Sequence, residues 1–337
     1  FDMDDAPEIE SLPAAEFKVA RGALDFLQQT IYPEWKRADA EAIRRQRCHK
    51  FIATTAIAAG ISAIVCAILQ LVMERLSQET KHLLGHIEVT AILVAALAVG
   101  AGVILHFHHG WLASRQKAER LRVLKFRSLA WRELWCDFEA WKNKVRQFAE
   151  ALGNLDSAAA KKWAQEEESG AYVPDHLGGC EVSPHDLRAL AALHQIKRLG
   201  FQRHYFQFQS EKATPRSRIA DWKIGMWLFF ITVIVVLVHR LHLHPEGAVF
   251  DAWLIGLAAI LPVIGFGLRA WLAAFETPRS RNLFRAKARA LDPFPTRGET
   301  AASAPEQFRS LVADGEDVFI NEHREWCRLQ LEAEWFV

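Results

Sequence analysis

The sequence predicts an all-α membrane protein with four transmembrane helices, arranged as two tandem hairpins, and a cytoplasmic helical layer. Two observations carry this. Four wholly apolar stretches interrupt a densely charged chain, and no β-rich segment of useful length lies between them. The averages conceal the contrast, since the 337 residues are 51% hydrophobic and carry 41 Lys and Arg against 40 Asp and Glu, a net charge of +1. That balance gives no reason to expect a nucleic-acid partner.

The first stretch, residues 51–73, is uncharged over about 23 residues, which at about 1.5 Å each exceeds a hydrocarbon core of about 30 Å. The polar connection 74–88 leads to a return helix over 89–107, with His106 as its only ionisable group. The third, 224–238, is shorter, but Trp222 and Trp227 suit a headgroup belt and Lys223 can reach the interface. The fourth, 252–268, lies between Asp251 and Arg269, with Trp253 and Trp271 near its ends and a kink expected at Pro262. A buried helix of a soluble protein is the alternative for each run, and it does not call for flanks rich in arginine and tryptophan.

Those flanks set the orientation, because cytoplasmic segments retain Lys and Arg during insertion. Lys36, Arg37, Arg44, Arg45, Arg47 and Lys50 precede the first hairpin, and Arg115, Lys117, Arg120, Arg122, Lys125 and Arg127 follow it. The second hairpin is flanked alike, whereas its turn carries only Arg240. Both termini are therefore expected in the cytoplasm of a bacterial cell, with the hairpins crossing the inner (plasma) membrane. The organisation read from these boundaries is 1–50 N-terminal helices, 51–107 first hairpin, 108–221 helical region, 222–275 second hairpin and 276–337 C-terminal helices.

Gly110-Trp111-Leu112-Ala113 after the second span and Ala270-Trp271-Leu272-Ala273 after the fourth look like the marks of an internal repeat. From Leu121, apolar or small residues recur in steps of three and four, except where Lys142 interrupts, through Leu124, Ser128, Trp131, Trp135, Phe138, Val145, Ala149 and Leu152. This heptad seam predicts that the second span continues as a long helix packed on another, from the same chain or a neighbour. Leu121, Leu124, Trp131, Trp135 and Phe138 are its candidate packing and assembly residues. Residues 171–184 read as a loop leading to a helix capped by Ser183-Pro184, 291–305 as a linker, and 306–336 as one or two amphipathic helices.

No Walker loop, dinucleotide-binding glycine fingerprint, GxSxG elbow, HExxH or paired CxxC occurs, so the chain is not expected to be an enzyme, and no catalytic, cofactor-binding or metal residues are assigned. His106, His108 and His109, and His239, His242 and His244, lack the spacing and companions of metal sites. Cys48, Cys66, Cys136, Cys180 and Cys327 are scattered, which predicts reduced thiols. Thr54, Thr55, Ser62, Thr90 and Thr232 are candidates for lining a water path, although each can equally bond its own helix backbone. Pro262 and Gly265 are candidate gating positions, since a helix bends there with least cost.

Four short segments carry a family resemblance. Ala38-Asp39-Ala40-Glu41-Ala42 with Gln46, Ala118-Glu119-Arg120-Leu121-Arg122 with Phe126, the pair Tyr205-Phe206, and Glu322-His323-Arg324-Glu325-Trp326 resemble the membrane regions of bacterial proteins carrying TRPM-like SLOG sensor domains. Such regions are similar to the SLATT class of conflict-system effectors. The resemblance implies a homo-oligomeric effector in antiviral (anti-phage) defence, channel- or pore-forming, that permeabilises or depolarises the inner membrane on a cytoplasmic signal derived from a nucleotide. It also implies a sensor domain, attached or separate, although no α/β SLOG domain is visible here. The alternative is a non-conducting membrane anchor for such a domain. In this topology, reporter fusions after Gln78 and Pro245 behave as periplasmic and fusions after Asp156 and Val337 as cytoplasmic; a cytoplasmic signal after Pro245 removes the second hairpin.

Overall fold

The computed structural model describes residues 3–13, 15–72, 77–105, 107–155, 158–159, 162–163, 177–212, 225–240, 248–274 and 277–332. Among these residues every regular element is a helix. Trp222, Lys223, His106, His242, His244 and the first part of the loop expected over 171–184 lie outside the described residues, as do the side chains of His239 and Trp271.

In chain order the helices are α1 (Ala6–Ser11), α2 (Lys18–Thr30), α3 (Tyr32–Val72), α4 (Gln78–Leu105), α5 (Phe107–Ser128), α6 (Glu133–Cys136) and α7 (Phe138–Gly153). There follow α8 (Pro184–Leu193), a π-helix (His194–Gly200), α9 (Phe201–Lys212), α10 (Gly225–Arg240), α11 (Ala248–Ala274), α12 (Thr277–Ala290), α13 (Phe294–Ala301) and α14 (Pro305–Glu332). The start of α8 follows from its sequence: Ser183 Oγ accepts the Asp186 N–H and Pro184 takes the first turn. The chain divides into two compact units, a polar one (residues 1–45, 109–212 and 278–332) and an apolar one (46–108, 213–277 and 333–337).

In the apolar unit three helices, α3, α4 and α11, are long and apolar enough to cross a bilayer. Their most apolar stretches are only 11–17% buried, and Leu71, Leu97, Ile104 and Phe266 point outward. A surface of that kind is stable against lipid and costly against water. The described part of α10 is 16 residues long, about 24 Å at about 1.5 Å per residue. Helix α4 already begins at Gln78, so most of the connection expected over 74–88 is helical, and Gln70 Nε2 of α3 donates to Glu88 of α4 at 2.6 Å. Helix α11 runs unbroken through Pro262. It packs on α3 through glycine: a Cβ at Gly267 would stand 2.1 Å from Ile61 Cδ1, and one at Gly256 3.5 Å from Val72 Cγ1.

The polar unit closes around one core. Leu24 and Leu27 of α2, Leu121, Leu124 and Phe126 of α5, Leu187 and Leu190 of α8, and Phe308, Leu311 and Val312 of α14 meet in it. A helix does follow the second span, but no single long helix carries the whole seam. Helix α5 ends at Ser128, residues 129–132 turn, and α6 and α7 follow. Leu121, Leu124, Trp131 and Trp135 are all buried and Phe138 partly so, but in the core of their own chain. The turn is held by tertiary bonds: Trp141 Nε1 donates to the Ser128 carbonyl at 2.9 Å and Arg309 Nε to the Ala130 carbonyl at 2.7 Å.

Two further expectations are corrected. The linker expected over 291–305 contains α13, because Leu291, Phe294 and Ala301 are buried in the core and anchor it. Cys136 and Cys180, expected as free thiols, form a disulfide with Cα atoms 5.2 Å apart. The fold brings together residues separated by 44 positions without any motif that would announce the pairing.

Trp141 is fully buried, stacks on Phe138 at 5.3 Å and meets Phe26 at 5.4 Å. Trp141→Ala is expected to cost about 3–5 kcal/mol, visible as a lowered thermal midpoint of the detergent-solubilised chain. Trp141→Phe, which keeps a ring but strands the Ser128 carbonyl, costs about 1–3 kcal/mol. An unchanged midpoint in Trp141→Ala would mean that the turn is not held by this residue.

A buried charge cluster as candidate functional site

Helix α5 carries Arg115 and Glu119, both partly buried, and Arg122 and Lys125, both buried, on neighbouring turns of the polar unit. Arg115 donates to Asp39 of α3 at 3.1 Å and pairs with Glu119 at 2.7 Å, while Arg122 Nη1 donates to both Glu119 oxygens at 2.7 Å. Burial opposes ionisation of Glu119, but Arg122 and Arg115 outweigh it and hold the carboxyl well below the usual range. The Arg122 guanidinium lies 5.4 Å from the Trp35 ring. Lys125, also buried, pairs with Asp5 at 2.9 Å and so ties the segment before α1 to the core. Burial raises the Asp5 carboxyl despite Lys125 and Lys197.

The π-helix presents His194 and Arg198 to α14. Arg198 makes two parallel bonds to Glu316, Nε–Oε1 at 2.8 Å and Nη2–Oε2 at 2.7 Å, and both side chains are at most 1% exposed. Its guanidinium also lies 4.1 Å from the Phe319 ring. His194 Nε2 stands 3.6 Å from the same carboxylate, but burial lowers its basicity. A further turn along α14, the His323 ring stacks on Trp326 at 5.6 Å and lies 5.9 Å from Trp163. Cys327 Sγ is 3.6 Å from His323 Nε2, and burial pushes that thiol up.

Between α5, the π-helix and α14 lies a small pocket, lined by Glu119, Arg120, Trp163, Arg198, Glu322 and His323 among others. Two of the four segments singled out in the sequence line it, through Glu119 and Arg120 and through Glu322 and His323, while Asp39 pairs with Arg115 and Phe206, beside Tyr205, meets Phe319 of the pocket wall. Trp163, Arg198 and Glu316 carried no sequence signal. They belong to segments without a motif, and only the tertiary fold brings them to the pocket.

The sequence-predicted membrane positions stand elsewhere. Thr54, Ser62 and Thr90 are exposed, and Thr55 and Thr232 half-exposed. Ser62 Oγ donates to the Ala58 carbonyl at 2.9 Å, Thr90 Oγ1 to His86 at 2.7 Å and Thr232 Oγ1 to Leu228 at 2.7 Å, the backbone bonds open to such residues. Pro262 is exposed, and a Cβ at Gly265 would lie 3.6 Å from Leu228 Cδ1. His49 and His108 stack at 5.0 Å, and among the described residues no three His, Cys, Asp or Glu side chains assemble as a metal site. No family model, no curated protein and no solved structure matches the chain.

Glu322 is pushed up to about 8 by burial and by Glu119, with Glu325 adding to the rise and Arg115 and Lys287 opposing it. Between its unfolded value of 4.5 and about 8 the folded chain holds a proton that the unfolded chain has lost, so stability falls as pH rises. His323, held at about 4 by burial, acts in the opposite sense between there and 6.5, where the unfolded chain holds the extra proton. Above that range the Glu322 contribution stands alone of the two. The thermal midpoint is expected to drop between about pH 7 and pH 8, and Glu322→Gln to flatten the drop; an equal slope in the variant would mean that Glu322 ionises normally.

Proposed function

We propose that the chain is an oligomeric integral-membrane effector of the bacterial inner membrane, channel- or pore-forming. In this reading the polar unit and both termini are cytoplasmic, and α10 completes a set of four spans with α3, α4 and α11. A cytoplasmic signal of the nucleotide type, received by the polar unit directly or through an attached or separate sensor domain, makes the membrane permeable as part of anti-phage defence. The basic flanks of the hairpins support the orientation.

The observation that carries the reading is a division among the small residues of the apolar unit. Gly256, Gly265 and Gly267 face neighbouring helices of the same chain, whereas a Cβ at Gly60 or Gly100 would meet nothing within 4 Å. Gly60 lies near Thr54 and Ser62 on α3, and Gly100 shares α4 with Thr90. Weakly polar, low-relief positions turned away from the chain's own bundle suit close approach of another copy, and a subunit of four helices needs several copies to enclose a hydrated path.

The test is electrical. Proteoliposomes carrying the full chain, with inorganic phosphate or adenosine 5′-monophosphate on the side of the polar unit, are expected to leak ions and lose an imposed potential. Gly100→Leu should shrink the detergent-solubilised particle and reduce the leak, and Pro262→Ala should reduce the leak without preventing insertion. Vesicles that stay tight to ions and small dyes under both additions, in a preparation shown to be oligomeric, favour the non-conducting anchor instead.

A further inference from the structure

Residues 177–182 lead into α8 as a short strap fastened to several helices at once. Leu177 is buried in the core, and its N–H donates to Glu306 Oε1, in the first turn of α14, at 3.1 Å. Gly178 and Gly179 take φ of 29° and 84°, a turn that residues with a side chain adopt only under strain, and it brings the Cys180 N–H back to the Leu177 carbonyl at 3.3 Å. The Gly178 carbonyl accepts from Arg132 Nη2 at 3.5 Å. The turn delivers Cys180 to the last residue of α6, Cys136, with Cα atoms 5.2 Å apart, a separation that a disulfide spans.

Among these ties the disulfide is the covalent one, and it is chemically reversible. Cys136 is exposed and Cys180 half-exposed, so a small thiol can reach the bond, whereas Cys66 and Cys327 are buried. Once the bond opens, the strap keeps the buried Leu177, the partly buried Val182 and its hydrogen bonds to Glu306 and Arg132. The same Glu306 bonds Arg309, which closes the turn at Ala130, so the strap and that turn share an anchor. In the cytoplasm, where the reading above places the polar unit, thiol pools reduce most disulfides, and those that form there are usually transient or redox-sensing.

We propose that Cys136 and Cys180 are a thiol–disulfide exchange site for a glutathione-type thiol, which fastens residues 177–182 to α6 when oxidised and frees them when reduced. The thiolate of one glutathione attacks the exposed Sγ of Cys136; the S–S bond breaks, and Cys180 leaves as a thiolate that takes up a proton. A second glutathione thiolate attacks the mixed disulfide, returns Cys136 as a thiol and leaves as oxidised glutathione, so two electrons pass from two glutathione molecules to the pair. Oxidised glutathione drives the same steps in reverse. The proposal rests on the cytoplasmic placement of the polar unit, which the reporter fusion after Asp156 tests separately.

The full chain in detergent is equilibrated, without denaturant, in reduced or in oxidised glutathione, and its thiols are counted by the mass shift with a maleimide polymer. Two more labelled thiols in the reduced chain are expected, a difference absent when Cys136→Ser and Cys180→Ser are combined. Glu181, exposed within the strap, supplies the second readout. Cleavage after it by a glutamate-specific protease is expected to quicken roughly 30-fold on reduction, since a cross-link shifts an opening equilibrium by about that factor or more and cleavage follows the open population. A bond that resists reduced glutathione until the chain is denatured, thiols that do not pair again in oxidised glutathione, or cleavage after Glu181 at one rate in both forms overturns the switch. The two redox forms of the unaltered chain make this comparison by themselves, so it stands even where the double variant fails to fold. A periplasmic signal after Asp156 overturns the cytoplasmic placement, while a bond that resists exchange overturns only the switch.

Discussion

Charge carried into the interior of the polar unit sets the terms on which its helices pack. Helix α5 cannot withdraw Arg115, Glu119, Arg122 and Lys125 from water, in part or wholly, unless each finds a partner; Glu119 pairs within the helix with Arg115 and Arg122, while Arg115 and Lys125 reach distant stretches of chain, Asp39 of α3 and Asp5 just before α1. The Arg198–Glu316 pair does the same between the π-helix and α14. Pairs of this kind add little over well-packed apolar side chains, yet removing one partner strands the other at about 3–5 kcal/mol. Their effect is selective: they fix which helix faces α5 and at what rotation, while the leucines and phenylalanines around them supply the burial.

Part of this was legible in the sequence. Apolar runs free of charge gave the long helices of the apolar unit, because length and composition alone decide that question. The buried positions of the seam from Leu121 onward were legible too, since spacing marks a buried face. The continuity of its helix was not. Residues 129–132 contain neither glycine nor proline, and the turn is closed by Trp141 and Arg309, whose bonds come from outside the segment. Conversely, the prolines, glycine and threonines of 291–305 suggested a linker and hid Leu291 and Phe294, which the core holds in place.

The charge cluster illustrates a second limit. Asp39, Glu119, Tyr205, Glu316 and Arg324 are ordinary residues in amphipathic helices when taken singly. Nothing in local periodicity says that they share one interior, because a charged residue near an apolar stripe is normally solvated. Glu322 gains its unusual proton affinity from burial and then from Glu119, some two hundred positions away in the chain. Trp163 is likewise a single aromatic residue among charged neighbours until the His323 ring and two guanidiniums stand around it.

The polar unit is assembled from three separate stretches of sequence, with an apolar hairpin intervening at each join. This has a consequence for biosynthesis. Leu24 and Leu27 leave the ribosome before, and Phe308, Leu311 and Val312, which share their core, only after, both apolar segments have been made. At about 5–20 residues per second the early helices wait roughly 15–60 s for these partners. Throughout that interval their apolar faces lack these partners. Closure of the polar unit thus waits for α14: a polypeptide that ends before it has lost residues that complete the core begun by α2.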